Sequence, residues 1–339
     1  MAGLLLKNAR AVVTMDDEGR ILRNCSILAT DGRIVAMGPE ESVQPAAGTP
    51  PGEVIDASEM LVYPGLVNSH HHLYQILTRN LPAVQRMELF QWLRTLYELW
   101  RGLTPEMVYA SSLAGFGELL RSGCTTCLDH HYVFPRGRDP HLIDMQVAAT
   151  TEIGIRFHAC RGSMSLGRRD GGLPPDDLVQ SVDEILKDSL RLIETYHDPS
   201  PLAMTRLVLA PCSPFSVSAD LMMESAALAR SKGVRLHTHL AETKDEETYC
   251  LERMGRRPLE YMEELGWLGP DVWFAHGIHF TGQEVARLAA TGTGVAHCPV
   301  SNQKLASGVA PVPQMLRAGV PVGLAVDGSA SNDGSNLLG

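Results

Sequence analysis

The stretch LVNSHHHLYQ, residues 66–75, places three histidines in succession directly after the apolar run MLVYPG of residues 60–65. Side chains along a β-strand alternate between its two faces, so His70 and His72 share one face and His71 points to the other. Two imidazoles on one face can hold a metal ion, whereas we expect His71 to pack or to form a hydrogen bond. A solvated loop with incidental histidines is the alternative, and the apolar run before the histidines disfavours it.

The same pattern recurs along residues 61–339, where short apolar runs alternate with segments of helical periodicity. One such segment, TPEMVYASSLAGFGELLRSG of residues 104–123, has a threonine cap, a proline at its first helical position and a closing glycine. Eight apolar runs alternating with helices predict an α/β fold of the TIM type, a (β/α)8 barrel. The runs are LVYPGLVNSH, CTTCLDHH, GIRFHACRG, RLVLAPCS, GVRLHTHLAE, VWFAHG, TGVAHCPVS and VPVGLAVDG.

Each run ends in polar or reactive residues, and the carboxyl ends of parallel barrel strands lie on one face. On the fifth run His239 lies nearer the carboxyl end than His237, and Glu242 follows just past the strand. His276 ends the sixth run and Asp327 ends the eighth. Three histidines and a carboxylate around an ion with an open position are typical of a catalytic metal site, which supplies hydroxide at neutral pH. A nearby carboxylate that does not bind the ion suits acid–base transfer.

Residues 1–60 read as short β segments with turns, one of which is the proline- and glycine-rich PAAGTPPGE of residues 45–53. They predict a small β module in front of the barrel.

The 339 residues have a net charge of −10, which argues against nucleic acid as a partner. No stretch approaches the roughly 20 apolar residues of a membrane span, and the short leucine run at the start does not resemble a signal segment. Seven scattered cysteines suit reduced thiols. We therefore expect a cytoplasmic protein that contacts neither membrane nor nucleic acid.

Several motifs resemble those of the amidohydrolase superfamily, in the branch of cytosine, guanine and triazine deaminases and hydrolases. They are PGLVNSHHH, HTHLAET, AHG and SNQKLASGVAPVPQMLRAGVPVGLAVDGSASND. Within that branch ELFQWL, RFHACRGSMSLG and GGLPPDDL are most similar to 8-oxoguanine deaminases. Because relatives continue past the eighth strand and complete a small β-sandwich, the resemblance implies a truncated chain whose module at residues 1–60 is incomplete.

The resemblance implies one divalent metal ion, zinc or alternatively iron, held by His70, His72, His239 and Asp327. It assigns proton handling and substrate polarisation to Glu242 and His276, with Asp327 also taking part in catalysis. A single ion is expected because the fourth run ends in LAPCSPF, without the lysine that binuclear members use.

For the substrate, the resemblance implies that Gln75 contacts the base, and Arg161 is a weaker candidate for a substrate carbonyl. Trp92, in ELFQWLRTLYELW, either packs or forms a dimer contact, or else covers the base as a lid. Asp129, His130 and His131 are candidates for supporting or substrate contacts. The KDEE run of residues 244–247 is interpreted as the solvated start of a helix.

These expectations describe a metal-dependent hydrolase of C–N bonds in cyclic amidines, forming a homo-oligomer and converting 8-oxoguanine to urate and ammonia. A pterin deaminase or a triazine amino- or chlorohydrolase would use the same metal site. A barrel that has lost its chemistry and serves as a scaffold is the alternative of another class.

Overall fold

The computed structural model describes residues 3–45 and 52–339 and contains two compact units, Met1–Gly65 and Leu66–Gly339. The division falls after Gly65, and Leu61–Val62 pairs with the first strand of the amino-terminal unit. Most of the predicted turn PAAGTPPGE, residues 46–51, lies outside the described residues.

The amino-terminal unit is one five-stranded sheet of order β3-β2-β1-β4, with β5 also paired to β1. Its apolar cluster includes Ala9, Val12, Cys25 and Ile27. The strands are β1 Leu4–Val13, β2 Ile21–Thr30, β3 Arg33–Gly38, β4 Glu53–Asp56 and β5 Leu61–Val62.

The second unit is built on an eight-stranded parallel sheet of order β14-β13-β12-β11-β10-β9-β8-β6, which confirms the eight predicted apolar runs and the barrel. Two short strands, β7 and β15, follow the edge strands β6 and β14 along the chain and pair with each other in parallel. The strands are β6 Leu66–Asn68, β7 His71–His72, β8 Cys124–His131, β9 Arg156–Ser163, β10 Thr205–Pro211, β11 Arg235–Leu240, β12 Val272–His276, β13 Gly294–His297, β14 Val322–Leu324 and β15 Asp327–Gly328.

The edges of the large sheet approach each other and nearly close the barrel. The Ser69 N–H donates to the Leu324 carbonyl at 3.0 Å, and the Val326 N–H donates to the Asn68 side-chain oxygen at 3.0 Å. The pairing of β7 with β15 sets His71 opposite Asp327. Closure therefore brings the first and last predicted metal-binding segments together.

Helices surround the sheet, and their caps follow the sequence signals. Thr104 accepts a hydrogen bond from the Met107 N–H at the start of α2, and left-handed Gly233 ends α5. None of the helices among the described residues is both long and apolar enough to cross a membrane. The α-helices are α1 Leu89–Trp100, α2 Pro105–Arg121, α3 Leu142–Ile153, α4 Val182–Tyr196, α5 Ala219–Lys232, α6 Lys244–Met254, α7 Pro258–Glu264, α8 Gly282–Thr291, α9 Pro299–Lys304, α10 Val312–Ala318 and α11 Ser329–Asn332.

The main core lies between the sheet and these helices. Phe116 of α2 packs edge-on against Phe157 of β9, with ring centroids 5.2 Å apart, and both are fully buried. A smaller cluster, which includes Leu128, Cys160 and Val208, occupies the other face of the same strands. Strand alternation thus separates a helix-facing side from a barrel-interior side, and this separation decides which strand-end residues can meet.

Candidate metal centre and active site

Four predicted metal ligands converge at the carboxyl ends of the strands. The Nε2 atoms of His72 and His239 lie 3.1 Å apart. The Oδ1 atom of Asp327 lies 3.3 Å from His72 Nε2 and 3.4 Å from His70 Nε2. All four side chains are buried. His71 faces away, as predicted, and its Nε2 contacts the Ser335 hydroxyl at 3.2 Å.

The opposite ring nitrogens of these histidines are held by the surrounding protein. His72 Nδ1 lies 2.7 Å from the His130 carbonyl oxygen, and His239 Nδ1 lies 2.7 Å from the Cys212 carbonyl oxygen. A carbonyl oxygen can only accept a hydrogen bond, so both Nδ1 atoms carry the proton. Each neutral ring therefore presents an unprotonated Nε2 to its neighbours.

The same reasoning fixes the tautomer of His70, which is in contact with His237. His237 Nδ1 donates to the Trp273 carbonyl oxygen at 2.9 Å, which leaves His237 Nε2 as an acceptor. His70 Nδ1 lies 2.7 Å from that Nε2 and donates to it. Burial lowers the pKa of His237 to about 3, so this acceptor is neutral. His237 thus orients His70, whose own Nε2 has no hydrogen-bond partner among the described residues.

These side chains fit a divalent ion. The Nε2 atoms of His70 and His72 both face Asp327 Oδ1, and the Nε2 atoms of His72 and His239 lie 3.1 Å apart, a separation at which lone pairs repel unless a cation lies between them. Ligands roughly 2.1 Å from one tetrahedral ion lie about 3.4 Å apart, close to the observed separations. Nδ1 partners that orient Nε2 are typical of metal-binding histidines. Two sets of buried side chains could hold a divalent metal, namely His70, His72, His130 and His239, and His70, His276 and Asp327, and the ligand atoms of each set lie within 4.8 Å of one another.

Next to this site, Glu242 and His276 form a buried pair. Glu242 Oε2 lies 3.5 Å from His276 Nε2, and His276 Nδ1 donates to the Asn302 side-chain oxygen at 2.9 Å. Burial raises the pKa of Glu242 to about 7, although His276 opposes the shift. Burial alone would lower the pKa of His276, but Glu242, Cys298 and Asp327 raise it well above its ordinary value. The pair can therefore hold and exchange a proton near neutral pH.

The second oxygen of Asp327 is held by hydroxyl groups. Ser301 donates to Asp327 Oδ2 at 2.5 Å, and Ser331 lies 3.3 Å from the same atom. Burial opposes ionisation of Asp327, yet the charge of the neighbouring His276, whose own pKa is raised, helps to hold the pKa of Asp327 well below the ordinary value. Asp327 is therefore ionised, with Oδ1 directed at the histidines.

Three non-glycine residues of the site have left-handed backbone, namely Ala241 (φ 53°), His276 (φ 74°) and Asp327 (φ 62°). Alternation along β12 would direct His276 to the helix-facing side with Val272 and Phe274, which belong to the main core. The left-handed turn instead brings its imidazole into the cavity wall. Such strain is concentrated at functional sites.

A cavity with about 370 Å³ of empty space, open solvent included, lies beside these residues. His72, His239, Glu242, His276 and Asp327 form part of its wall. Leu89, Trp92, Leu93, Tyr132, Phe215 and Leu305 supply an apolar and aromatic wall. A flat heterocycle suits this combination of aromatic surface and polar groups.

The structure places two of the three predicted substrate residues at the cavity. Gln75 lines it, and its Oε1 is buried with no partner in the part of the chain that the structure describes. Trp92 also lines it, packed edge-on against Trp100.

Arg161 does not line the cavity, and the predicted contact with substrate finds no support in the geometry. Its guanidinium donates to Asp188 at 2.7 Å and to the Gln180 side-chain oxygen at 2.9 Å, and it covers the Phe134 ring. The physical reason is strand alternation, because Arg161 shares the helix-facing side of β9 with Phe157.

The carboxyl end of β8 supports the site without lining the cavity. Asp129 accepts hydrogen bonds from the Leu73 N–H and from Gln146, so it fixes the chain just after His72. His130 donates to the Ala210 carbonyl oxygen, and its ring stacks on that of His239.

Sequence reasoning did not single out Ser301, Asn302, Tyr132 or Cys212. Ser301 and Asn302 lie within the SNQK motif, whose position after the seventh strand is the signal that could have identified them. Tyr132 and Cys212 directly follow strands β8 and β10 and line the cavity.

Comparisons with known proteins agree with this architecture. The amidohydrolase family model matches residues 61–339. The chain is 51% identical over 314 residues to an 8-oxoguanine deaminase of Pseudomonas aeruginosa, covering 92% of this chain and 69% of that protein. It is 38% identical to an isoxanthopterin deaminase from an unknown prokaryotic organism, over 94% of this chain and 70% of the relative.

Among solved structures, the chain resembles atrazine chlorohydrolase from Arthrobacter aurescens TC1 in complex with zinc. The TM-score is 0.94 at 35% identity, over 99% of this chain and 74% of that chain. The matched family model and these identities establish that the chain belongs to the amidohydrolase family.

Proposed function

We propose that His70, His72, His239 and Asp327 hold one zinc ion and that the protein is a hydrolytic deaminase. The observation that carries the proposal is that the unprotonated Nε2 atoms of His70 and His72 lie against Asp327 Oδ1, with His239 Nε2 beside His72 Nε2. The zinc complex of the related chlorohydrolase supports zinc over iron. The proposed ligand set holds a single ion.

The proposed reaction replaces an exocyclic amine by oxygen. A bound divalent ion acts as a Lewis acid and makes hydroxide available at neutral pH. Asp327 accepts the proton that the attacking water loses, and Glu242 donates a proton to the ring nitrogen beside the reacting carbon. His276, with its Nδ1 held by Asn302, directs Nε2 at the oxygen on which charge develops. Asp327 then passes its proton to the departing amine and Glu242 regains a proton from the new hydroxyl group, so that the carbon–nitrogen bond breaks, a carbonyl forms and ammonia leaves.

The substrate that we propose is 8-oxoguanine, with urate and ammonia as products. The 51% identity to an 8-oxoguanine deaminase supports this choice. The cavity supports it physically, because Trp92, Tyr132 and Phe215 offer aromatic surface to a fused ring system. The unpartnered Oε1 of Gln75 provides an acceptor for a ring N–H.

A pterin deaminase is the second candidate, and the 38% identity to an isoxanthopterin deaminase favours it. Pterins and purines share the fused ring and the amine beside a ring nitrogen, so the same residues serve both. Triazine hydrolysis would use the same site with another leaving group.

The test is steady-state ammonia release by the zinc-loaded protein with 8-oxoguanine, guanine, isoxanthopterin and cytosine, and chloride release with atrazine. We expect the highest kcat/KM for 8-oxoguanine. Glu242→Gln should lower kcat by roughly 10²–10⁴, the range of general acid–base catalysis, while exposed Glu252→Gln should not. A higher kcat/KM for another substrate would refute the assignment of 8-oxoguanine, and wild-type turnover by Glu242→Gln would refute the proton transfer.

A further inference from the structure

Glu246 is a fully buried carboxylate in the first turn of α6. The KDEE run of residues 244–247 predicts a solvated helix start, and this prediction is wrong for Glu246. Lys244 and Asp245 are exposed and Glu247 pairs with Arg257, as a surface run would. Because a carboxylate is buried at high cost unless its oxygens are hydrogen-bonded, its partners indicate what it does.

Both oxygens of Glu246 accept hydrogen bonds from the backbone that carries Glu242. Oε1 accepts from the Ala241 N–H at 2.9 Å, and Oε2 accepts from the Glu242 N–H at 2.9 Å. The Glu246 N–H is itself capped by the Thr243 hydroxyl. The carboxylate therefore closes a tight turn between the end of β11 and the start of α6.

That turn contains the left-handed Ala241, a conformation in which Cβ crowds the following carbonyl oxygen. On its other side, the Ala241 carbonyl accepts hydrogen bonds from the Ile278 N–H at 2.8 Å and the His279 N–H at 2.9 Å. These two residues follow His276 closely. The peptide groups around Ala241 are thus fixed by Glu246 on one side and by the segment after His276 on the other.

We infer that Glu246 is a positioning residue for Glu242, which it places against His276 through the two backbone hydrogen bonds. The inference rests on the proposed function in that Glu242 transfers the proton. Displacement of a reacting group by about 1 Å can cost 10²-fold in rate, so loss of either hydrogen bond is expected to lower turnover.

The first test uses ammonia release per zinc-loaded site by Glu246→Gln, which keeps the shape of the side chain but loses one acceptor oxygen. We expect kcat to fall roughly 10- to 100-fold with KM within about threefold. Asp245→Asn, which removes an exposed charge from the same turn, is the matched control and should stay within about twofold. In a Glu242→Gln background, Glu246→Gln should cost less than about twofold, because both changes act on one step. An equal loss in both backgrounds, or wild-type kcat in Glu246→Gln, would overturn the inference.

The second test is independent of activity. Amide hydrogen exchange in the zinc-loaded wild-type protein should be slow at Ala241 and Glu242, and fast exchange at both would overturn the inference. In Glu246→Gln, protection at these two amides should fall at least tenfold while strand β11 is unchanged. Absence of ammonia release by the wild-type protein would refute the proposed function, and the exchange data would still decide whether Glu246 holds the turn.

Discussion

The strongest structural prediction concerns His237, which does not line the cavity yet fixes the orientation of His70. His237→Phe keeps a flat ring beside Trp273, on which the imidazole stacks with a centroid separation of 4.7 Å. The variant removes the Nε2 acceptor 2.7 Å from His70 Nδ1. The His70 ring can then rotate or change tautomer, and its Nε2 is no longer held toward the metal site.

The size of the expected loss of zinc affinity follows from two general values. Loss of a partner that orients a metal-binding histidine typically costs 10- to 100-fold in metal affinity, or about 1.4–2.7 kcal/mol. A buried donor left unpaired costs about 1–3 kcal/mol. The two estimates agree, so we expect the zinc dissociation constant of His237→Phe to rise about 10- to 100-fold.

The assay is competition for zinc between the protein and a chromophoric chelator at fixed pH, with circular dichroism to confirm folding. His158→Phe is the control, because His158 lines a separate cavity at the amino-terminal ends of the barrel strands. A folded His237→Phe protein whose zinc affinity stays within about twofold of the wild type would refute the orienting role of His237.

Three further predictions test other parts of the structure. An added Cβ at Gly328 would lie 1.8 Å from Gln75 Oε1. Gly328→Ala should therefore displace that amide and lower kcat/KM for 8-oxoguanine about tenfold. Gly334→Ala is the control and should leave kcat/KM unchanged, because a Cβ at Gly334 meets open space. Burial raises the pKa of Asp129 to about 7, so its stabilising contribution is complete below about pH 4 and is lost as the pH rises through 7. Asp129→Asn should therefore gain about 3 kcal/mol relative to the wild type between about pH 5 and 9 in urea unfolding, and parallel pH profiles would contradict this. Removal of the ion by chelation should lower the melting temperature, because free metal at about 1,000 times its dissociation constant stabilises the folded protein by about 4 kcal/mol. An unchanged melting temperature would argue against a metal bound in the folded state.

Much of the fold and of the metal site was predictable from sequence because both follow from strand periodicity. The eight apolar runs became the eight strands of the sheet, and alternation correctly separated His70 and His72 from His71. The same rule places Arg161 on the helix-facing side of β9, where it meets Asp188. Homo-oligomerisation and a cytoplasmic location stay predictions.

Sequence analysis misplaced Glu246, and it placed His276 in the site without the backbone feature that brings it there. Glu246 lies in a charged run typical of a solvated helix face, and only the left-handed turn at Ala241 brings two N–H groups to its carboxylate. His276 reaches the cavity through a left-handed backbone that periodicity cannot anticipate. Tertiary contacts between separate β/α units decide both positions.

Anomalous diffraction at the zinc absorption edge, from crystals of the zinc-loaded protein, tests the central claim most directly. We predict one peak, roughly 2.0–2.2 Å from the Nε2 atoms of His70, His72 and His239 and from Asp327 Oδ1. A peak bound by other residues, or no peak among these four side chains in an otherwise ordered structure, would contradict the account.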